Sequence, residues 1–261
     1  MLLEEFDARK SAIINPWDLN SKIEEFPKTV VTCFARTTFE QMVAAFEGEK
    51  IAETSMANVE IPIYKVMIDG VSIAIYNSPV GASACVATVE DLAVMGGERF
   101  LFFGTCGVLN QDIDETSIIV PLAALRDEGT SFHYMEATDE VSLQLANQEV
   151  LMAFLRDRHI SYSKGKVWTT DGVYRETLGK MKERKEAGAI CVDMEASAIA
   201  AWAGFRGLDL AYFFYAADHL SEEAWDPRTL SNHSDLDSKD KIAALALEFA
   251  VSWTRDEHYG K

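Results

Sequence analysis

The chain has 261 residues, 48% hydrophobic and 25% charged, a composition that can bury a core and excludes a largely disordered protein. Its 24 Lys and Arg against 42 Asp and Glu give a formal net charge of −18, which repels nucleic acid and anionic membrane surfaces. No apolar run is long enough for a membrane span, the start MLLEEFDARK lacks the layout of a secretory signal, and Cys33, Cys85, Cys106 and Cys191 form no CxxC pair.

A reduced, cytoplasmic setting without a disulfide framework or zinc site is expected. Residues 1–28 carry Pro16 and Pro27 and read as a surface lead-in with a short helix at Leu19 to Glu25; residues 29–261 read as one domain. The β-branched and aromatic run Val30 to Phe34 predicts a strand. Thr38 to Phe46 has helical spacing, with Phe39, Met42, Val43 and Phe46 on one face. Residues 59–68 and 71–77 predict two strands joined by the hairpin signal Asp69-Gly70. A helix over 82–96 ends at Gly96-Gly97, and the apolar strand Phe100 to Phe103 runs into Gly104-Thr105-Cys106-Gly107.

A strand is expected at 117–125, a long amphipathic helix at 139–158, a strand at 160–169 and a helix at 174–187. Ala189 to Val192 is a short strand entering a helix from Met194 to Phe205. Leu208 to Ala216 is an apolar strand followed by Asp218, and a helix over 236–254 closes the chain. Strands alternating with helices imply an α/β fold with a parallel or mixed sheet covered on both faces.

In open α/β sheets, ligands bind beyond the carboxyl ends of strands, so polar residues there are candidates. Arg36 could bind an oxyanion or lie on the surface. Gly104 to Gly107 is either a tight turn or a place where backbone amides approach an anion, with the Thr105 hydroxyl added. Asp193 suits a helix cap. Glu195, two residues on, could accept two hydrogen bonds from a sugar diol. Asp218 borders low dielectric, which would raise its pKa enough to donate a proton near neutral pH; the alternative is another cap. No Walker A loop, Rossmann glycine triplet or nucleophile elbow is present, and His233-Ser-Asp235-Leu-Asp237 lacks the Gly and Glu of a calcium loop, so no metal site is expected.

Together these segments resemble the nucleoside phosphorylase-I family. Leu92 to Gly107 looks like its helix, strand and GTCG loop, Val192-Asp193-Met194-Glu195-Ala-Ser-Ala198 like its V-E-M-E-x-A-A signature with Asp for the first Glu, and Ala217-Asp218-His219-Leu220 like the S-D-H segment of its purine enzymes. The resemblance implies a single α/β domain with a mixed, partly closed central sheet flanked by helices. It also implies a homo-oligomer, dimer or hexamer, cleaving nucleosides with inorganic phosphate as co-substrate and no cofactor. By resemblance Asp218 protonates a purine base, Met194 and Glu195 hold the ribose, and Arg36, Gly104 and Thr105 bind phosphate. Asp171, Tyr174 and Arg175 fall where relatives contact the base. A purine nucleoside phosphorylase is the leading expectation. A uridine phosphorylase, a nucleosidase using water, and a non-catalytic nucleoside-binding protein are the alternatives.

Two departures bear on phosphate. The glycine-rich P-G-D-P-x-R loop of the phosphorylases is represented here by Val31 to Arg36, without its glycine, and their arginine two residues before the GTCG glycine is Phe102. Either Arg175, Arg99 or Lys65 compensates, or phosphate affinity is poor, or water is the nucleophile. The nucleosidases that the resemblance includes place an acidic residue near the first strand's end to activate water, and none lies between Thr32 and Arg36; Glu40, nearby, is expected on the helix.

Overall fold

In the computed structural model, which describes residues 2–230 and 235–256, an early β-strand lies deep in a sheet that partly closes on itself. The lead-in carries a one-turn helix α1 (Pro16–Leu19), earlier than the expected Leu19 to Glu25. Pro16 at the first helical position explains the shift: its fixed φ suits a helix start, where its missing N–H costs nothing. β1 (Thr29–Cys33) leads to α2 (Arg36–Ala45), then to β2 (Glu49–Met56), β3 (Val59–Ile68) and β4 (Val71–Asn77). Asp69 and Gly70 turn the β3–β4 hairpin with φ of 50° and 78°, the backbone that matches the right-handed strand twist.

α3 (Ala82–Met95) precedes β5 (Arg99–Val108), and β6 (Ile118–Asp127) is followed by β7 (Glu140–Ser142) and α4 (Leu145–Asp157). β8 (Tyr162–Thr170), α5 (Leu178–Glu186), β9 (Ala189–Asp193), α6 (Ala196–Arg206), β10 (Asp209–Leu220), β11 (Trp225–Asp226) and α7 (Leu236–Arg255) complete the chain. Three expectations change. Glu49–Met56 is a strand, residues 140–142 pair with β6 rather than open the long helix, and Gly104 to Gly107 lies inside β5 rather than in a loop. His233 lies outside the described residues.

The sheet closes because β10 pairs both β5, in parallel, and β6, antiparallel. The ring β5–β10–β6–β8–β9 returns to β5 through the pairs Gly107–Val192 and Val108–Cys191. From β5 the sheet extends outward through β1, β4, β3 and β2. Strand residues alternate between two cores: Val30, Phe100, Phe102 and Tyr212 pack with α3 and α6, while Val31, Leu101, Phe103 and Phe213 pack with α2, α4 and α7. A strand with both faces covered must be apolar at every position, which is why the period-2 signal vanishes in Phe100 to Phe103. Among the described residues no helix is long and apolar enough to cross a membrane.

Candidate active site

The ends of β5, β9 and β10 meet at one rim of the ring, and the site is built there. β9 ends at Asp193, whose Oδ2 accepts the backbone N–H groups of Glu195 (3.0 Å) and Ala196 (2.7 Å) while Oδ1 accepts the Thr169 hydroxyl at 2.6 Å. Asp193 therefore caps α6, as its place before a helix suggests. That cap fixes Met194 and Glu195 at the rim. Glu195 is buried, and the Gly81 N–H at the start of α3 donates to its Oε1 at 2.5 Å. Burial raises the pKa of both carboxyls, and the Asp193 charge raises that of Glu195 further.

β10 brings the second carboxyl. Its register against β5 shifts between Ala216 and Asp218, so one extra residue enters the strand. Such a bulge re-aims the following side chain. Asp218 is 8% exposed, and its Oδ2 accepts the Trp225 indole N–H at 2.8 Å. Burial raises the Asp218 pKa, and the indole hydrogen bond opposes that rise.

Glu195 and Asp218 line the same cavity of about 170 Å³, together with Met194, Thr105, Cys106 and Phe34. A second cavity of about 580 Å³, bounded by Tyr174, Met181 and Trp225, adjoins it. Val173, Glu176, Asp218, Leu220 and Leu230 belong to both, so they form the throat between them. Burial and the Asp218 charge push the Glu176 carboxyl up to about 7. The Cys106 thiol is pushed far up by burial, which makes it no thiolate nucleophile.

The glycines of β5 are required by close approach. A Cβ on Gly104 would lie 2.9 Å from Cδ2 of Phe34, and one on Gly107 would lie 2.6 Å from Cδ1 of Leu220. The Phe34 ring thus covers Gly104, which does not itself line the cavity. Arg36 opens α2 with its side chain 75% exposed and its Nε 4.0 Å from Glu40, away from the cavity. Asp171 accepts the Gly129 N–H at 2.9 Å and lines a different cleft, beside Ser83 and Tyr134. Tyr174 is exposed at the outer rim, and Arg175 is exposed and lines neither cavity. Arg99 lies 3.6 Å from Asp209 at the far end of β5, and Lys65 pairs with Glu49 at 2.8 Å. Neither compensates for Phe102, which is fully buried. Among the described residues, the inner cavity is lined by four carboxylates (Glu176, Asp193, Glu195 and Asp218) and by no Lys, Arg or His.

Sequence reasoning missed Glu176, Phe34 and Trp225. Glu176 follows directly on the segment read as base-contacting, whereas the role of Trp225 depends on the pairing of β11 with β10. Among the described residues no group of three or more His, Cys, Asp or Glu is placed to hold a metal ion.

This arrangement can hold a polar ring with one carboxylate and deliver a proton from another. Residues 29–250 match the family model described as the phosphorylase superfamily. A guanosine phosphorylase from Halorubrum lacusprofundi is 27% identical over 60% of this chain, and the match spans 65% of that protein, just under two thirds of its length. Among solved structures, a purine nucleoside phosphorylase from Toxoplasma gondii superposes with a TM-score of 0.75 at 18% identity, covering 89% of this chain and 93% of the other. A uridine phosphorylase from Vibrio fischeri ES114 also gives 0.75, at 21% identity, covering 90% and 98%. At these identities the superpositions establish a shared fold.

Proposed function

Because this chain belongs to the phosphorylase superfamily, we propose that it cleaves the N-glycosidic bond of a nucleoside, purine nucleosides favoured. The observation that carries the reading is the convergence of Glu195 and Asp218 on one cavity. Cleavage of a ribosyl–base bond passes through an oxocarbenium-like state, so the sugar must be held and the departing base neutralised. Glu195 would accept hydrogen bonds from the 2′- and 3′-hydroxyls while Met194 packs on the ribose; two donors on its oxygens would pull its raised carboxyl back towards the charged form. Asp218, protonated, would donate to N7 of the leaving purine; its raised pKa keeps that proton available nearer neutral pH.

Phosphorolysis to ribose-1-phosphate and free base is supported by the Thr105 hydroxyl on the cavity wall and by the guanosine phosphorylase relative. Its anion would need a cation from outside this cavity, which a second copy of the chain in a dimer or hexamer could supply. Hydrolysis is favoured by a specific observation: among the described residues four acidic side chains and no Lys, Arg or His line the inner cavity, and Phe34 covers Gly104 where amides would meet an anion. A dianion there finds no countercharge among the described lining residues, whereas water needs none.

The test is cleavage of inosine, guanosine, adenosine and uridine with and without phosphate, with the sugar product identified. Ribose-1-phosphate formed only with phosphate supports phosphorolysis; free ribose at a phosphate-independent rate supports hydrolysis. No cleavage of any purine nucleoside overturns the reading.

A further inference from the structure

We propose that the outer cavity receives a neutral apolar group carried on the 6-amino nitrogen of the base, so that this chain acts on adenosines bearing an alkyl, prenyl or benzyl substituent there. This rests on the purine-nucleoside reading and names the class of purine nucleoside that the site selects.

The room lies beyond the throat. Met194 and Glu195, which would hold the ribose, line the inner cavity alone, whereas Asp218, which would serve N7, lines both cavities. The long axis of a bound nucleoside therefore runs from the inner cavity outward. On a purine, C8 and the group on C6 stand on either side of N7. C8 belongs to the ring bonded to the sugar, so the C6 group is the one that faces the outer cavity. That cavity measures about 580 Å³. A liquid water, one heavy atom, takes about 30 Å³, so a ten-atom adenine needs at most about 300 Å³. Even with the whole base inside, a large part of the cavity is left for a further group.

The walls decide the chemistry of that group. Val173, Tyr174, Leu178, Trp225 and Leu230 are all exposed apolar or aromatic side chains, and all five border this one cavity. Exposed apolar residues scattered singly need no explanation, whereas five around one mouth mark a binding surface. They come from separate parts of the chain: the turn Val173–Arg175 and the start of α5, then β11 and the residue Leu230 beyond it. Only the fold gathers them. The aromatic faces of Tyr174 and Trp225 suit a flat or branched apolar group. The ionisable groups that line the cavity, among the described residues, are all acidic, and one of them, Glu222, is paired with Lys182 at 2.8 Å. A carboxylate or phosphate on the substituent would find no countercharge on these walls, so the group they select is uncharged.

The experiment compares kcat/KM for inosine, adenosine, N6-benzyladenosine and N6-(4-carboxybenzyl)adenosine in the wild type, Leu178→Ala and Leu178→Glu. Leu178 lines the outer cavity alone and opens α5, where a glutamate suits the helix dipole, so both variants should fold. The wild type is expected to favour N6-benzyladenosine over adenosine by about tenfold or more, the scale of burying one aromatic side chain, and to favour it over the carboxybenzyl compound by a similar factor. Leu178→Ala should reduce the preference for the benzyl group by about threefold, and Leu178→Glu should reduce it to about twofold or less, each with the rate on adenosine kept within about twofold. N6-benzyladenosine cleaved no better than adenosine overturns the assignment while cleavage of inosine or adenosine leaves the purine reading standing; a second copy of the chain covering the mouth would give that result. A benzyl preference unchanged in both variants places the apolar contact elsewhere and overturns the assignment too. A wild type that cleaves none of the four overturns the purine reading, and the assignment falls with it.

Discussion

The Trp225 indole N–H donates to Asp218 Oδ2 at 2.8 Å, across a hairpin in which His219 pairs Asp226 and Leu220 pairs Trp225. The bond stabilises the ionised carboxyl and opposes the burial that raises its pKa. Trp225→Phe removes the bond and keeps an aromatic wall, so the Asp218 pKa should rise. A proton donor works below its pKa and fails as pH rises through it, so the alkaline limb of the kcat/KM profile should move to higher pH. A limb that stays put or moves down would separate Trp225 from the proton donor. Trp225 is 59% exposed, so the melting temperature should change little.

Asp218→Asn keeps an oxygen able to accept the indole hydrogen bond but carries no acidic proton. Purine nucleoside cleavage should fall by about 10²–10⁴-fold, the usual contribution of a positioned acid. The pH profile should lose its alkaline limb while the fold, read by circular dichroism, stays intact. A variant that keeps the wild-type rate on inosine and adenosine would place the proton source elsewhere.

Glu195→Gln should separate stability from function. Burial and Asp193 push the Glu195 carboxyl up to about 8. A carboxyl raised in the folded state binds its proton more tightly there than in the unfolded chain, so wild-type stability falls as pH rises from the ordinary carboxylate range towards 8. The glutamine has no charge to bury. Its melting temperature should match the wild type near pH 5 and exceed it at pH 9, by about 2–4 °C for each kcal/mol recovered. Nucleoside cleavage should fall at least about tenfold through lost charge-assisted bonds to the ribose. Equal melting temperatures at pH 9 would show that Glu195 is not buried as an anion.

Much of this architecture is legible in the residues, for reasons that also explain the gaps. Asp69-Gly70 specifies its hairpin because few other residue pairs tolerate positive φ twice in succession. The Asp193 cap follows from a carboxyl placed just ahead of a run of small residues. β2 is obscure because EKIAETSM is mostly exposed and partly charged, so its pairing with β3 is the tertiary fact that makes it a strand. Gly104 and Gly107 read as a turn, yet both are glycine because Phe34 and Leu220 press on the strand. Glu195 and Asp218 stand at strand ends where local pattern can find them. The Glu176–Asp218 neighbourhood joins the segment after β8 to the end of β10, and only the closed ring brings these together.

Phe102 stands in the core where the resemblance leads one to expect an arginine. It is fully buried, with its ring centroid 5.5 Å from Tyr212 and 6.4 Å from Phe34. Phe102→Ala should cost about 3–5 kcal/mol in denaturant unfolding. Phe102→Arg should fail to restore a phosphate site, because the guanidinium would enter an apolar core before reaching the cavity. A soluble, folded Phe102→Arg with a lowered phosphate KM would contradict this.

Arg36 provides the sharpest check on the nucleophile. It sits at the first turn of α2, exposed, facing Glu40 at 4.0 Å, and outside the inner cavity. An exposed pair of that length contributes at most about 0.5–1 kcal/mol, so Arg36→Ala should barely shift the melting temperature. The response of the cleavage rate to phosphate should also stay within about twofold, since screening by water leaves an exposed cation little influence on the cavity. A tenfold rise in phosphate KM with an unchanged nucleoside KM would instead mean that Arg36 swings onto the anion when substrate binds. It would then join Thr105 as a proposed phosphate contact, and the lack of a cation among the described lining residues would cease to favour water.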